Sequence, residues 1–155
     1  MEYTATEDIP FYRDCAPLVE AAGCVLVELH VVPQRNSVKV AAVIARKDPL
    51  SDVGISDCAA VHRSLLSKMS EILQKPEDVL YMEVCSPGLE RQLKNALEFS
   101  LFAGRAVRVW DKTKGDWVSG TIFAADTEQV TLKTEDAGAC TVSYTNIAKA
   151  KFIHS

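Results

Sequence analysis

The side chains with chemistry to offer in this chain are charged groups, thiols and indoles, and their spacing favours recognition over catalysis. Residues 81–94 read Tyr-Met-Glu-Val-Cys-Ser-Pro-Gly-Leu-Glu-Arg-Gln-Leu-Lys, an alternating apolar segment that runs into a turn and delivers a Glu-Arg pair. Pro87 fixes φ and lacks an N–H, Gly88 is free to take positive φ, and Ser86, preceding a proline, is held extended. Such a turn at a strand end aims Leu89, Glu90 and Arg91 in one direction, as either a partner contact or a salt-bridged domain clamp requires. Beyond it, residues 91–114 carry six basic side chains (Arg91, Lys94, Arg105, Arg108, Lys112, Lys114) against two acidic ones, Glu98 and Asp111. Period-two alternation sets Ala106, Arg108 and Trp110 on one strand face and Val107 and Val109 on the other. Arg108, Trp110 and Lys112, with Trp117 across a hairpin, would then offer a basic, aromatic face suited to RNA or to a protein partner. The same pattern also describes a solvated strand edge with a half-packed Trp.

Catalytic signatures are missing. The chain has no Gly-x-Gly-x-x-Gly, Gly-x-x-x-x-Gly-Lys, His-Glu-x-x-His or Gly-x-Ser-x-Gly. Its carboxylates are scattered, and His62 has no evident partner to make it a general base. Cys58 and His62 lie four apart on a predicted helix, but two ligands on one turn do not make a metal site. No metal or cofactor is expected. The five cysteines, at 15, 24, 58, 85 and 140, are odd in number and never spaced Cys-x-x-Cys. They read as reduced, core-packed thiols of a cytoplasmic protein.

The elements that must position these residues are legible from hydrophobic period. The 155 residues are 48% apolar and 25% charged, a composition that suits one large or two small soluble domains. No apolar run approaches the roughly 18 residues of a membrane span, and the acidic N-terminus lacks signal-peptide character. Residues 11–22 predict a helix that starts late or kinks at Pro17, followed by strands over 24–32 and 38–46. Residues 56–74 predict a long helix capped by Ser56, with Asp57 in its first turn and an apolar stripe from Cys58 to Leu73. The strand entering Ser86 completes an α-β-β-α-β two-layer sandwich. A short helix over 95–102 then precedes five strands, at 106–111, 117–125, 129–134, 140–144 and 149–153, at the close spacing of a small barrel. Charge divides with the fold. Residues 1–90 carry 8 basic and 14 acidic side chains, net −6, and residues 91–155 carry 9 and 7, net +2. The expected architecture is α+β, with an acidic domain over 1–91 and a short helix plus barrel over 92–155.

The stretch Glu83-Val84-Cys85-Ser86-Pro87-Gly88-Leu89-Glu90-Arg91-Gln92-Leu93 resembles the hallmark Glu-Val-Ser-Ser-Pro-Gly-Leu-Asp/Glu-Arg-Pro-Leu of the ribosome maturation factor RimP family. Three further segments are similar to that family: Asp57-Cys58-Ala59-Ala60-Val61, Phe102-Ala103-Gly104-Arg105-Ala106-Val107 and Ile147-Ala148-Lys149-Ala150. Gln92 stands where the family usually has Pro, and Cys85 where Ser is common. The resemblance implies an N-terminal α/β domain and a C-terminal barrel of the Sm/SH3-like type. It also implies a non-catalytic factor that binds the maturing small (30S) ribosomal subunit and promotes rRNA folding and protein docking, and a cytoplasmic monomer is expected. Ser86, Pro87, Gly88, Leu89, Glu90 and Arg91 would carry the partner contact or domain junction. From charge and alternation, rather than from the resemblance, Lys94, Arg105, Arg108, Trp110, Lys112 and Lys114 would face 16S rRNA, and the acidic domain would face a basic ribosomal protein. A general Sm-like RNA-binding module unconnected with ribosomes is the competing expectation.

Overall fold

The computed structural model describes residues 1–48, 51–87, 91–135 and 138–153. The chain divides into two compact units, Thr6–Pro87 and a second made of Met1–Ala5 with Gly88–Ser155.

The first unit has the anticipated order: α1 (Tyr12–Ala21), β1 (Cys24–Pro33), β2 (Val38–Arg46), α2 (Ile55–Leu73) and β3 (Leu80–Cys85). Its sheet runs β1-β2-β3, with β1 antiparallel to β2 and β2 parallel to β3. A parallel pair needs a long crossover, and α2 supplies it. α1 passes through Pro17 without dividing, and its buried Tyr12, Cys15 and Val19 seat it on the sheet. In β1 the register shifts between Leu26 and Glu28. A bulge there exchanges the faces, so that Cys24 and Leu26 before it and Leu29 after it all reach the same core. α2 contributes Val61, Leu65 and Met69 to that core, each such burial stabilising by about 1.5–3 kcal/mol.

The start of α2 differs from the expectation. Gly54 is its N-cap, and Ser56 lies inside the helix. The capping group is the Asp57 carboxylate, whose Oδ2 accepts the Gly54 N–H at 2.9 Å while Oδ1 accepts Arg46 Nη1 at 2.9 Å. A carboxylate at the third helical position reaches back to the cap N–H, and this displaces Ser56 from the role.

The second unit contains a short α3 (Glu98–Leu101), then β4 (Ala106–Asp111), β5 (Asp116–Ala125), β6 (Gln129–Thr134), β7 (Gly138–Ser143) and β8 (Ile147–Phe152). All pairings are antiparallel, in the order β7-β6-β5-β4-β8. The predicted helix over 95–102 contracts to the four residues of α3. Among the described residues β7 and β8 are the two ends of the sheet, so the pairing is that of an open five-stranded sheet, and barrel closure is not seen. The outer edge of β8 is instead taken by the chain entering the unit. Gln92 bridges Lys151, Leu93 N–H donates to Ala150 O at 2.9 Å, and Phe152 N–H donates to Arg91 O at 2.9 Å.

The inner face buries Val107 and Val109 of β4, Ile122 of β5, Val130 and Leu132 of β6 and Phe152 of β8. Gly120 allows β5 to approach β6 closely, because a Cβ there would lie 2.8 Å from Lys133 O. Residues 2–4 are tied into the same unit. Asn95 Oδ1 accepts Thr4 N–H at 2.8 Å, Asn95 Nδ2 donates to Thr4 O at 2.9 Å, and Ala96 N–H donates to Glu2 O at 2.9 Å. The Tyr3 ring stacks on Tyr144 at 6.3 Å, and Tyr144 stacks on Phe99 at 5.7 Å. Local patterning does not predict this placement.

Candidate nucleic-acid interface

The linking motif ends β3 as its sequence requires. Tyr81, Glu83 and Cys85 are exposed on one face, and Met82 and Val84 are half-buried on the other. Ser86 is exposed and Pro87 half-buried, while Gly88, Leu89 and Glu90 fall outside the described residues. Cys85 therefore departs from the expectation of five core thiols. Cys15 and Cys24 are buried, Cys58 and Cys140 half-buried, and Cys85 is exposed because it shares the outward face of Tyr81 and Glu83.

Arg91 turns inward. Its Nε lies 2.7 Å from Glu98 Oε1, and the two side chains are only 7% and 1% exposed. The other Glu98 oxygen, Oε2, accepts the Lys94 N–H at 3.1 Å and the Asn95 N–H at 3.0 Å. One buried carboxylate thus neutralises the guanidinium and satisfies two backbone donors in the turn before α3, which is what makes its burial tolerable. Asp111, 7% exposed, accepts the Thr113 N–H at 2.9 Å inside its own turn. Both acidic residues of 91–114 are therefore withdrawn from the surface, whereas Lys94, Arg108, Lys112 and Lys114 remain exposed.

The outer face of the sheet gathers part of the predicted set. Trp110 of β4 lies directly opposite Trp117 of β5, and the rings meet edge to face at 5.5 Å. The Arg108 guanidinium rests 4.7 Å from the Trp117 ring centroid. Arg108 is also opposite Lys151 of β8, so two cations sit side by side. Lys112 follows at the strand end, its Nζ 3.5 Å from Thr145 O, and Lys114 occupies the β4–β5 turn.

Arg105 is separate, with its guanidinium 4.6 Å from the ring of buried Phe152. Lys94 lies in the turn organised by Glu98.

Sequence reasoning missed two members of this face. Phe123 is 62% exposed, and Lys133 of β6 stands over its ring at 5.2 Å. Alternation in 129–134 does signal an outward Lys133. Alternation from Trp117 through Ser119 and Thr121 likewise signals an outward Phe123, and the register shift between Ile122 and Ala124 changes the faces only beyond it. The outer-face positions of β4, β5, β6 and β8 thus hold Arg108, Lys133, Lys149 and Lys151, and the exposed carboxylate of these strands, Asp116, opens β5 beside Trp117 opposite Asp111. Glu135 lies just beyond the end of β6.

An acidic unit with a helix-covered sheet and a second unit of balanced formal charge with an aromatic sheet face define a two-part α+β protein. Residues 14–90 match the model of the RimP N-terminal domain. Over 129 residues the chain is 26% identical to the ribosome maturation factor RimP of Borrelia recurrentis (strain A1), covering 83% of this chain and 84% of the relative. The chain belongs to the ribosome maturation factor RimP family.

Proposed function

We propose that this protein is a non-catalytic ribosome assembly factor that binds the maturing small (30S) subunit in the cytoplasm and promotes folding of its 16S rRNA and docking of its proteins. Family membership carries this reading. Charge supports a division of labour. The net −6 of residues 1–90 is repelled by phosphate and attracted to a basic small-subunit ribosomal protein, whereas residues 91–155, at net +2, tolerate rRNA. We read the five-stranded sheet as the family's Sm/SH3-like module, with Arg108, Trp110, Lys112 and Lys114 toward RNA and with Lys94 and Arg105 flanking. Ser86 and the segment through Glu90 act as the partner contact. Arg91 supports that contact from inside the unit.

The test is sucrose-gradient sedimentation of the tagged protein with ribosomal particles. It is expected in the free small-subunit fractions and absent from polysomes. An even distribution over both subunits, or migration only with free RNA as a ring-shaped oligomer, would instead support a general Sm-like RNA-binding module.

A further inference from the structure

We infer that the outer face of the second unit's sheet is a stacking platform for single-stranded RNA, with Phe123 and Lys133 as one anchor and Trp117, Trp110 and Arg108 as the other. This rests on the ribosomal reading above and deepens it, naming the form of RNA recognised and two residues outside the predicted set.

Three features of the face carry the inference. Aromatic rings and cations are paired on it twice: Arg108 over Trp117 at 4.7 Å and Lys133 over Phe123 at 5.2 Å. A ring flanked by a cation suits a nucleotide, whose base stacks while its phosphate meets the charge. The two anchors are spaced along one strand. Trp117 and Phe123 are six residues apart on β5, roughly 20 Å at strand rise, a reach for several nucleotides rather than one.

The surface between them is recessed and polar. A shallow hollow of about 320 Å³ is floored by Ala106, Ser119, Gly120 and Thr121, and Lys133 forms one wall. Small floor residues leave room for a base, and the hydroxyls of Ser119 and Thr121 supply hydrogen bonds without fixing a sequence. Glu135 is the one acidic side chain lining the hollow. It sits at the β6 end and sets the limit of the phosphate track.

The charge pattern selects the occupant. On the face that carries Trp110, Trp117 and Phe123 the strands offer Arg108, Lys133, Lys149 and Lys151, while exposed Asp116 at the start of β5 has the opposite phase, and this face complements a polyanion. Stacking needs unpaired bases, which a duplex does not expose. Single-stranded RNA satisfies both conditions, and the expected recognition is tolerant of sequence.

The experiment titrates the full-length protein into fluorescently labelled ten-nucleotide A and U oligomers, with a blunt RNA duplex and an oligoglutamate peptide as competitors. Binding to both single strands, with quenching of Trp fluorescence and a steep salt dependence, is the expected result. Phe123→Ala is expected to weaken binding roughly ten- to hundred-fold, the loss typical of one stacked base. Phe123 is exposed, so this variant leaves the fold intact. Lys133→Gln is expected to flatten the log Kd against log salt slope by about 0.7, the value for one phosphate contact on a single strand.

Equal affinity for the duplex, preference for oligoglutamate, absence of binding at low salt, or wild-type behaviour of both variants overturns the inference. If the protein sediments with small subunits but ignores the oligomers, the platform fails and the assembly role stands. If it binds the oligomers as described but ignores small subunits, the assembly role fails and the platform stands.

Discussion

Arg91 and Glu98 form a salt bridge inside the second unit, at 2.7 Å with side-chain exposures of 7% and 1%. The arginine that completes the most distinctive motif of the chain is thereby turned away from solvent. Its backbone carbonyl, meanwhile, holds the Phe152 N–H on the edge of β8. The end of the motif thus fixes how the chain enters the sheet.

Removing one member of this pair leaves a buried charge uncompensated. Arg91→Met and Glu98→Gln are each expected to cost about 3–5 kcal/mol. Arg91→Glu, with two carboxylates facing each other, is expected to unfold the second unit. Urea denaturation followed by tryptophan fluorescence reads this directly, since both indoles lie in that unit. A variant that keeps the wild-type midpoint would show that the pair is dispensable.

At high pH two buried phenols become a liability. Burial, with Glu20 adding to it, pushes Tyr12 from 10.0 up to about 12. Burial, then Asp126 and Tyr3, do the same to Tyr144, also to about 12. The unfolded chain releases these protons first. Stability is therefore full below about pH 10 and declines as pH rises toward about pH 12. Tyr12→Phe gives up the hydrogen bond to Leu26 O, worth about 1 kcal/mol, and flattens that decline for the first unit. Urea midpoints measured across this alkaline range test the slope.

The acid limb has its own sensor. The Gly54 N–H, followed by Arg46, holds the Asp57 carboxyl below its usual 3.8. Its contribution is present above the unfolded value and is lost as pH falls through the folded one. Asp57→Asn is expected to make acid unfolding of α2 less steep while lowering stability at neutral pH. Circular dichroism during an acid titration measures both effects.

Gly120→Ala places a Cβ 2.8 Å from Lys133 O and 3.1 Å from Leu132 Cβ. The strands must separate to accept it, at an expected cost of about 1–3 kcal/mol. Thermal melts of this variant beside Gly115→Ala, whose Cβ meets nothing within 4 Å, isolate the packing effect from the backbone effect.

Thiol chemistry reports the orientation of β3. Cys85 is exposed, whereas burial pushes Cys15 up to about 11 and raises Cys24 and Cys58 as well. A colorimetric disulfide reagent at neutral pH is expected to modify Cys85 first and Cys15 only on unfolding. Peptide mapping after partial labelling identifies the order.

Residues 106–134 show how far local pattern reaches. Alternation of Val107 and Val109 against Arg108 and Trp110 depends only on the two-residue period, and β4 emerges with its predicted bounds and faces. The stripe on α2 is legible for the same reason. Bulges add a residue without any local signature, so the face of Leu29 required the structure. Arg91 is the instructive case. A charged residue after a Pro-Gly turn reads as surface, and Glu98 reads as one more solvated acid. Only tertiary folding brings their carboxylate and guanidinium together, in a unit whose entering segment lies along β8. The Asp57 cap was hidden similarly, since a serine beside it offered a simpler candidate.

The strap formed by residues 2–4 also sets an order of events during synthesis. Tyr3 and Thr4 are made before Thr6–Pro87, yet their partners Asn95 and Tyr144 lie beyond that unit. The first unit has all its strands once Cys85 has been made, whereas the strap's hydrogen bonds wait for Asn95 and Ala96 and its ring stack waits for Tyr144. Folding of the second unit therefore closes its longest-range contacts last. Its completed state reports that translation has passed through Tyr144 and β8.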